Sequence, residues 1–328
     1  MKGVSVIVCC YNSEKLLTPT IAHLLNQQID GEFGYEIIVV DNNSSDSTAQ
    51  TAARLLEASA PNINSSIIHE EKPGLAYARK AGINKAKYNY VIFCDDDNWL
   101  APDYVARAFK IMEADNTLAA IGGKGDAVFE TEKPGWFNIY ESAYATGSQE
   151  GNLKDNLLFG AGIVIRKQIL SDLFKANFHS ILPGRTQGKL LAGDDAEYTI
   201  VFKILGFNIN YLPELKFKHF LKQERLNYTY LKKMFIGFGN SRPQIDCYKN
   251  ILNKNELHSN LQWIWLFLKS ILRTIYWFTF PPPGKNRIMY LLWNRAYISS
   301  CWQLRNTYKK KQDYISKTVS SYHALNKV

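Results

Sequence analysis

Covalent cross-linking has little to work with here. The 328 residues include five cysteines (Cys9, Cys10, Cys94, Cys247 and Cys301), an odd number with no Cys-x-x-Cys pair. They read as reduced thiols of a cytosolic compartment rather than as a disulfide framework. No Gly-x-Gly-x-x-Gly follows the first β-branched run, and the stretch from Gly184 to Lys189 lacks P-loop spacing, so neither common nucleotide motif is present. An apolar leader is also missing. Met1-Lys2-Gly3 runs straight into Val4 to Cys10, which is too short for a signal-peptide core and has no small-residue cleavage pattern after it, as expected of an unexported chain. In that setting Asn43-Ser44-Ser45 is a turn rather than a glycan acceptor. Acids are scarce towards the C-terminus: residues 213–328 carry 5 Asp and Glu against 20 Lys and Arg, a balance of +15, whereas residues 1–212 carry 25 against 19, or −6. The basic end faces something acidic, a membrane surface or a nucleic acid.

A hydrophobic content of 46% supplies a substantial core, and the length suits one catalytic domain with an appendage. Val4 to Cys9 reads as a strand. After the loop at Tyr11-Asn12-Ser13, Leu17, Ile21, Leu24 and Leu25 recur at helical spacing. Tyr35 to Val40 repeats the plan, with a polar loop from Asp41 and a helix from Thr48 to Ala58. Ser66 to His69, Leu75 to Lys87 and Tyr90 to Cys94 give a third strand, a third helix and a fourth strand. Such alternation predicts a Rossmann-like, mostly parallel sheet flanked by helices, its chemistry at the carboxyl ends of the strands. Beyond Ala119 the pattern loosens, and Gly122 to Gly125 and Lys133 to Phe137 read as loops walling a pocket. Gly160 to Ile165 reads as a further strand, and Gly193-Asp194-Asp195 opens a helix running to Leu205.

Asp95-Asp96-Asp97 directly follows the fourth strand. Three adjacent carboxylates repel, which is tolerable when water or a hard cation such as Mg2+ or Mn2+ neutralises them. The competing explanation, a helix cap, accounts for one acid and not three.

These pieces, in this order, resemble the family 2 glycosyltransferases of GT-A fold over about residues 4–220. The resemblance rests on Tyr11-Asn12, on Asp41 at the end of the second strand, on Gly74-Leu-Ala-Tyr-Ala78-Arg79, on Asp95-Asp96-Asp97 as Asp-x-Asp, and on Gly193-Asp194-Asp195. It implies that Tyr11, Asn12, Asp41, Arg79, Asp95 and Asp96 meet the nucleotide sugar. Asp97, with Asp95 and His219, would hold the metal, Mn2+ or Mg2+. Asp195 would be the catalytic base, with Asp194 second because it stands where Glu is commoner. A divalent ion covers a diphosphate leaving group, so a single base suffices and the anomeric centre inverts. Glycosidases, by contrast, need two carboxyl groups.

The expected division is a catalytic domain over 1–220, with a nucleotide-sugar half to about 125 and an acceptor half over 126–220, followed by a basic, aromatic-rich helical region over 221–328. In that region Leu261 to Phe280 reads as an amphipathic helix with Gln262, Lys269, Arg273 and Tyr276 on one face, and two central charges argue against a transmembrane span. Aromatics mixed with bases suit an interfacial helix on anionic lipid. A helical hairpin packed on the protein, or on a second copy in a homodimer, is the other reading. No nucleic-acid module is present. The expected activity is transfer from a UDP-linked sugar to a lipid-linked or polysaccharide acceptor in surface glycan synthesis, by a cytoplasmic protein peripheral at the inner membrane face. The rivals are a sugar nucleotidyltransferase and a non-catalytic scaffold of the same fold.

Overall fold

In the computed structural model, which describes residues 1–29, 31–57, 63–182, 193–253, 262–280 and 286–326, the first half of the chain alternates as its hydrophobic pattern predicts. Strands β1 (Gly3–Cys10), β2 (Gly34–Asp41), β3 (Asn64–His69) and β4 (Tyr90–Asp95) are separated by helices α1 (Leu17–Leu25), α2 (Thr48–Glu57) and α3 (Leu75–Lys85). All three pairings among these strands are parallel. After β4 come β5 (Asn98–Leu100), α4 (Tyr104–Ala114), β6 (Leu118–Phe129), the short helices α5 (Phe137–Tyr140) and α6 (Glu150–Lys154), β7 (Val164–Arg166), α7 (Lys167–Lys175), α8 (Asp194–Ile204) and β8 (Asn208–Leu221). Helices α9 (Tyr228–Leu252), α10 (Gln262–Thr279), α11 (Arg287–Leu304) and α12 (Tyr308–Leu325) complete the described chain. Among the described residues the strands form one sheet in the order β3-β2-β1-β4-β7-β6-β8-β5.

Packing divides the chain into two units. The first comprises Met1–Glu130, Glu141–Asp172 and Phe207–Leu221, and so holds the whole sheet. Val4, Val6 and Val8 of β1 join Leu17, Ile21 and Leu24 of α1 and Val105, Ala108 and Met112 of α4 in one core cluster. The alternate residues of β1 face the side on which α3 packs against β1 and β2. A strand covered on both faces must be apolar at nearly every position, as Val4 to Val8 are.

The glycine-rich stretch after Ala119 corrects the expectation of a loop. Gly122 to Gly125 lie inside β6, a 12-residue strand paired in parallel with β8 and antiparallel with β7. Close backbone approach explains the glycine at 123, where a Cβ would sit 2.2 Å from the Leu215 carbonyl oxygen. The β6–β8 register jumps from Gly122↔Tyr211 to Lys124↔Lys216, and Pro213 of β8 falls in that irregular gap, where no ladder donor is demanded of it. The strand expected over Gly160 to Ile165 is shorter, starting at Val164, because Gly162 (φ 69°) sits in a turn beneath Tyr104, whose hydroxyl donates to the Gly162 carbonyl at 2.6 Å.

The second unit comprises Thr131–Tyr140, Leu173–Gly206 and Lys222–Val328. Helix α9 packs against α8, α11 and α12, and α10 packs on α11. Within the same unit Trp136 packs on Tyr228 in a tilted contact and Tyr140 meets Phe235 edge-on. The face of α10 that holds Gln262, Lys269, Arg273 and Tyr276 is unevenly exposed. Gln262 is buried and accepts from Gln312 at 2.7 Å, and Arg273 turns inward, so these two do not share a solvated face with Lys269 and Tyr276. The Arg273 guanidinium lies 4.7 Å over Trp293, 4.9 Å over Tyr297 and 5.4 Å over Trp277, and its Nε donates to Asn294 Oδ1 at 2.8 Å. Delocalised charge over aromatic faces, with a hydrogen bond to hold it, makes that inward position tolerable. The Pro281 to Gly284 break and Gly184 to Lys189 lie outside the described residues.

Candidate active site

Parallel register gathers the candidate residues of the first unit at one edge. Cys10 is level with Asp41, and Cys9 with Asp95, so the β1, β2 and β4 loops emerge side by side. The loop after β1 is tied to the loop after β2. Asn12 takes the left-handed conformation (φ 52°) that asparagine tolerates. Its Oδ1 accepts from the Ser45 amide at 2.8 Å, and its own amide donates to Ser44 Oγ at 3.0 Å. Tyr11 projects outward, 44% exposed, the exposure expected of a group that meets a ligand rather than the core. Asp41 is buried, with one carboxylate oxygen 3.2 Å from His69 Nδ1 and the other accepting from the Ser44 amide at 3.2 Å.

The next residue, Asn42, went unremarked in the sequence and is the hinge pin of the edge. Its Nδ2 donates to the carbonyls of Glu70 (3.0 Å) and Lys72 (2.7 Å), and its Oδ1 accepts from the Gly74 amide at 2.7 Å. Gly74 caps α3 at φ 134°, and one turn later Arg79 is buried with its guanidinium 4.8 Å over the Phe93 ring. Arg79 is therefore not a solvated helix residue but part of the packing between α3 and β4.

The three aspartates point to different partners. Asp96 turns toward α1: its carboxylate accepts from Ser13 Oγ, and its carbonyl accepts from Thr20 Oγ1 at 2.6 Å. Asp95 is half-buried, its amide donating to Asn98 Oδ1 at 3.3 Å. Asp97 is buried. Its Oδ1 accepts from Asn98 Nδ2 at 3.0 Å and lies 3.4 Å from His219 Nε2, a contact that the antiparallel pairing Asn98↔His219 between β5 and β8 enforces. His219 Nδ1 is buried without a hydrogen-bond partner. The structure thus brings Asp97 and His219 together across 122 residues of sequence, with Asp95 two residues away. Among the described residues no group of three or more His, Cys, Asp or Glu converges tightly enough to hold an ion alone. A small cavity beside this pair, about 260 Å3, is lined by Lys15, Leu16, Pro19, Asp97, Trp99 and Phe220.

Burial pushes the pKa of Cys94 well above the usual thiol value, and the charges of Asp95, Asp97 and Asp96 add to it; Cys10 is raised likewise by burial and then by Asp96.

In the second unit Gly193, at φ 118°, leads into α8, a conformation that favours glycine before an acidic first turn. Asp195 is half-buried and its Oδ1 accepts from the Ala196 amide at 2.8 Å. The side chain of Asp194 lies outside what is described. Two residues on, Glu197 was passed over in the sequence. It is fully buried, accepting from Ser180 Oγ, Tyr248 OH, the Ile181 amide (2.7 Å) and the Leu182 amide (3.4 Å). Burial outweighs these donors and pushes its pKa up to about 7. Its signal was positional, since Glu197 precedes the buried Ile200 and Val201 by the i+3 and i+4 spacing that puts it on their face.

The model of the family described as glycosyl transferase family 2 matches residues 5–174, just over half of the chain. The chain belongs to that family. Over 129 residues it is 30% identical to poly-beta-1,6-N-acetyl-D-glucosamine synthase of Staphylococcus aureus (strain COL), a stretch covering 38% of this chain and 28% of that protein. In the first curated relatives matched, the shared stretch is between 19% and 29% of their length. Among solved structures, mannosyltransferase PcManGT from Pyrobaculum calidifontis, in complex with GDP-Man and Mn2+, aligns over 100% of this chain and 89% of its own at TM-score 0.53 and 18% identity. S. aureus TarS 1-349 in complex with UDP-GlcNAc aligns over 99% and 92% at TM-score 0.50 and 17% identity. These likenesses establish the GT-A fold.

Proposed function

We propose that the chain is an inverting, metal-dependent glycosyltransferase that moves a sugar from a UDP-linked donor to a hydroxyl of a lipid-linked or polysaccharide acceptor, working peripherally at the inner face of the cell membrane. The observation that carries the reading is the Asp95–Asp97 segment at the carboxyl edge of the parallel strands, with Asp97 against His219. Membership of family 2 supports it, as do a polysaccharide synthase among the relatives and nucleotide sugars in the two structural neighbours.

On this reading Tyr11, Asn12, Asp41, Arg79, Asp95 and Asp96 form the nucleotide-sugar side. Asp97 and His219, with Asp95, would hold Mn2+ or Mg2+. Carboxylate oxygens suit either ion, and the imidazole suits Mn2+ better than Mg2+. When bound, the ion would stabilise charge developing on the leaving diphosphate. Asp195 takes the proton from the acceptor hydroxyl as its oxygen bonds the anomeric carbon and the bond to the diphosphate oxygen breaks on the opposite face. Asp194 is the second candidate for that role.

Calorimetric titration with UDP and GDP, with and without Mn2+, tests the donor site on wild type and Asp97→Ala. The expected result is Mn2+-dependent UDP binding weakened by at least about tenfold in the variant. Equal UDP affinity in the presence of a chelator would remove the metal from the reading, and a folded sample binding neither nucleotide would overturn the donor class.

A further inference from the structure

Helix α10 is apolar on both sides: Trp263 and Phe267 pack inward on Trp302 of α11, and Trp277 packs on Tyr290 and Trp293. The same inward side carries Ser270, Arg273 and Thr274, with Asn294 Nδ2 of α11 donating to the Ser270 carbonyl at 2.7 Å and to Thr274 Oγ1. Its outward side carries Trp265, Leu268, Leu272, Ile275 and Tyr276, exposed by 67%, 49%, 66%, 60% and 60%. Those positions recur at i, i+3, i+7, i+10 and i+11, which is one stripe along the whole helix. Phe278 in the last turn and Phe280 just past its end add exposed apolar surface, at 66% and 63% exposure. A soluble surface rarely leaves so continuous an apolar stripe bare.

We propose that this stripe is the surface by which the second unit lies on an anionic lipid bilayer, giving residues to the membrane placement in the reading above. Charge selects the occupant. Residues 262–326 contain ten Lys and Arg against a single acid, Asp313. Lys269 sits on the stripe itself, and Arg287, Arg305, Lys309 and Lys310 are exposed on the neighbouring helices and their ends. A second copy of the chain would bring the same excess of positive charge face to face, which opposes association. Anionic headgroups match it, and aromatic and aliphatic side chains mixed with bases are the composition of a helix that lies in the interface plane. The geometry also fits lying rather than spanning: among the described residues no helix is long and apolar enough to cross a membrane.

Flotation of the full chain with phosphatidylcholine vesicles, with or without phosphatidylglycerol, tests the proposal beside Leu268→Glu/Leu272→Glu/Ile275→Glu. All three positions are exposed, so the substitutions leave the core alone. UDP titration of the same variant checks that the donor site is unaffected, which separates a failure of docking from a failure of the transferase reading. The expected result is flotation with the anionic vesicles, weakened by 0.5 M salt, and at least about tenfold poorer in the triple variant. Three outcomes would overturn the proposal: no binding to anionic vesicles, binding that the triple variant retains, or a dimer in solution that the triple variant dissociates.

Discussion

Replacing Asn42 with Ala would release the turn that seats α3, because one side chain makes three bonds there: two to the carbonyls of Glu70 and Lys72 and one from the Gly74 amide. Alanine leaves all three groups without that partner at a part-buried position, at about 1 kcal/mol each and roughly 3 kcal/mol together as an upper figure. The cost falls on local opening of residues 70–79 rather than on the sheet, whose ladders are untouched. At 1.4 kcal/mol per factor of ten, the opening equilibrium of that segment should rise by about a hundredfold. Hydrogen exchange of peptides covering Gly74 to Arg79 reads this directly, with peptides from β1 and β6 as internal controls. Asn42→Asp sharpens the test. Its carboxylate still accepts from the Gly74 amide but faces two carbonyl oxygens with no donor, so its protection should fall at least as far as in Asn42→Ala. Since Arg79 follows on the same helix, UDP affinity should weaken in both variants if the proposed donor site is right. Exchange within threefold of wild type in Asn42→Ala would refute the reasoning, and wild-type protection in Asn42→Asp would show that the single accepted bond suffices.

The pH dependence of the second unit follows from Glu197. Its folded pKa of about 7 lies above the usual 4.5, so the neutral acid is the form the fold prefers. Its contribution is fully present below pH 4.5 and is lost as pH rises through 7, by an amount on the order of 3 kcal/mol. Chemical denaturation at several pH values should show α8 and α9 weakening over that window in wild type and much less in Glu197→Gln, whose amide can donate to Ser180 Oγ; a wild-type profile that is flat or rises with pH would contradict this. Gly123→Ala should cost about 2–3 kcal/mol, because its Cβ would meet the Leu215 carbonyl oxygen at 2.2 Å and backbone cannot swing aside. Gly135→Ala, with nothing within 4 Å, should be neutral, and equal melting temperatures for the two variants would remove the close-approach argument. Asp195→Asn should abolish transfer while leaving UDP affinity unchanged; transfer at the wild-type rate would remove it as the base.

The parallel half was legible in the sequence because runs such as Val4 to Val8 and Tyr35 to Val40 are apolar at all but one position each, Ser5 and Glu36, which bond each other, and polar loops at Asp41 and Asp95 mark their ends. Strands β6 and β8 were not, because their stability comes from each other. Glycines at 122, 123 and 125 and a proline at 213 disfavour a strand locally, yet the bulged register uses the first for close approach and tolerates the second. The acid cluster was visible, but not the divergence within it. The partners of Asp96 and Asp97 depend on Ser13 arriving from the loop after β1, on Thr20 from α1 and on His219 from β8, and no local pattern encodes those meetings. Helix α10 shows the same limit most sharply. Periodicity identified two faces and left open whether the helix lies on lipid or packs on the protein. It did not show that Arg273 turns inward, where Trp277, Trp293, Tyr297 and Asn294 receive its guanidinium. On the proposed docking surface, a bilayer would be the solvent in which exposing Trp265 and Leu272 while Arg273 turns inward lowers the free energy.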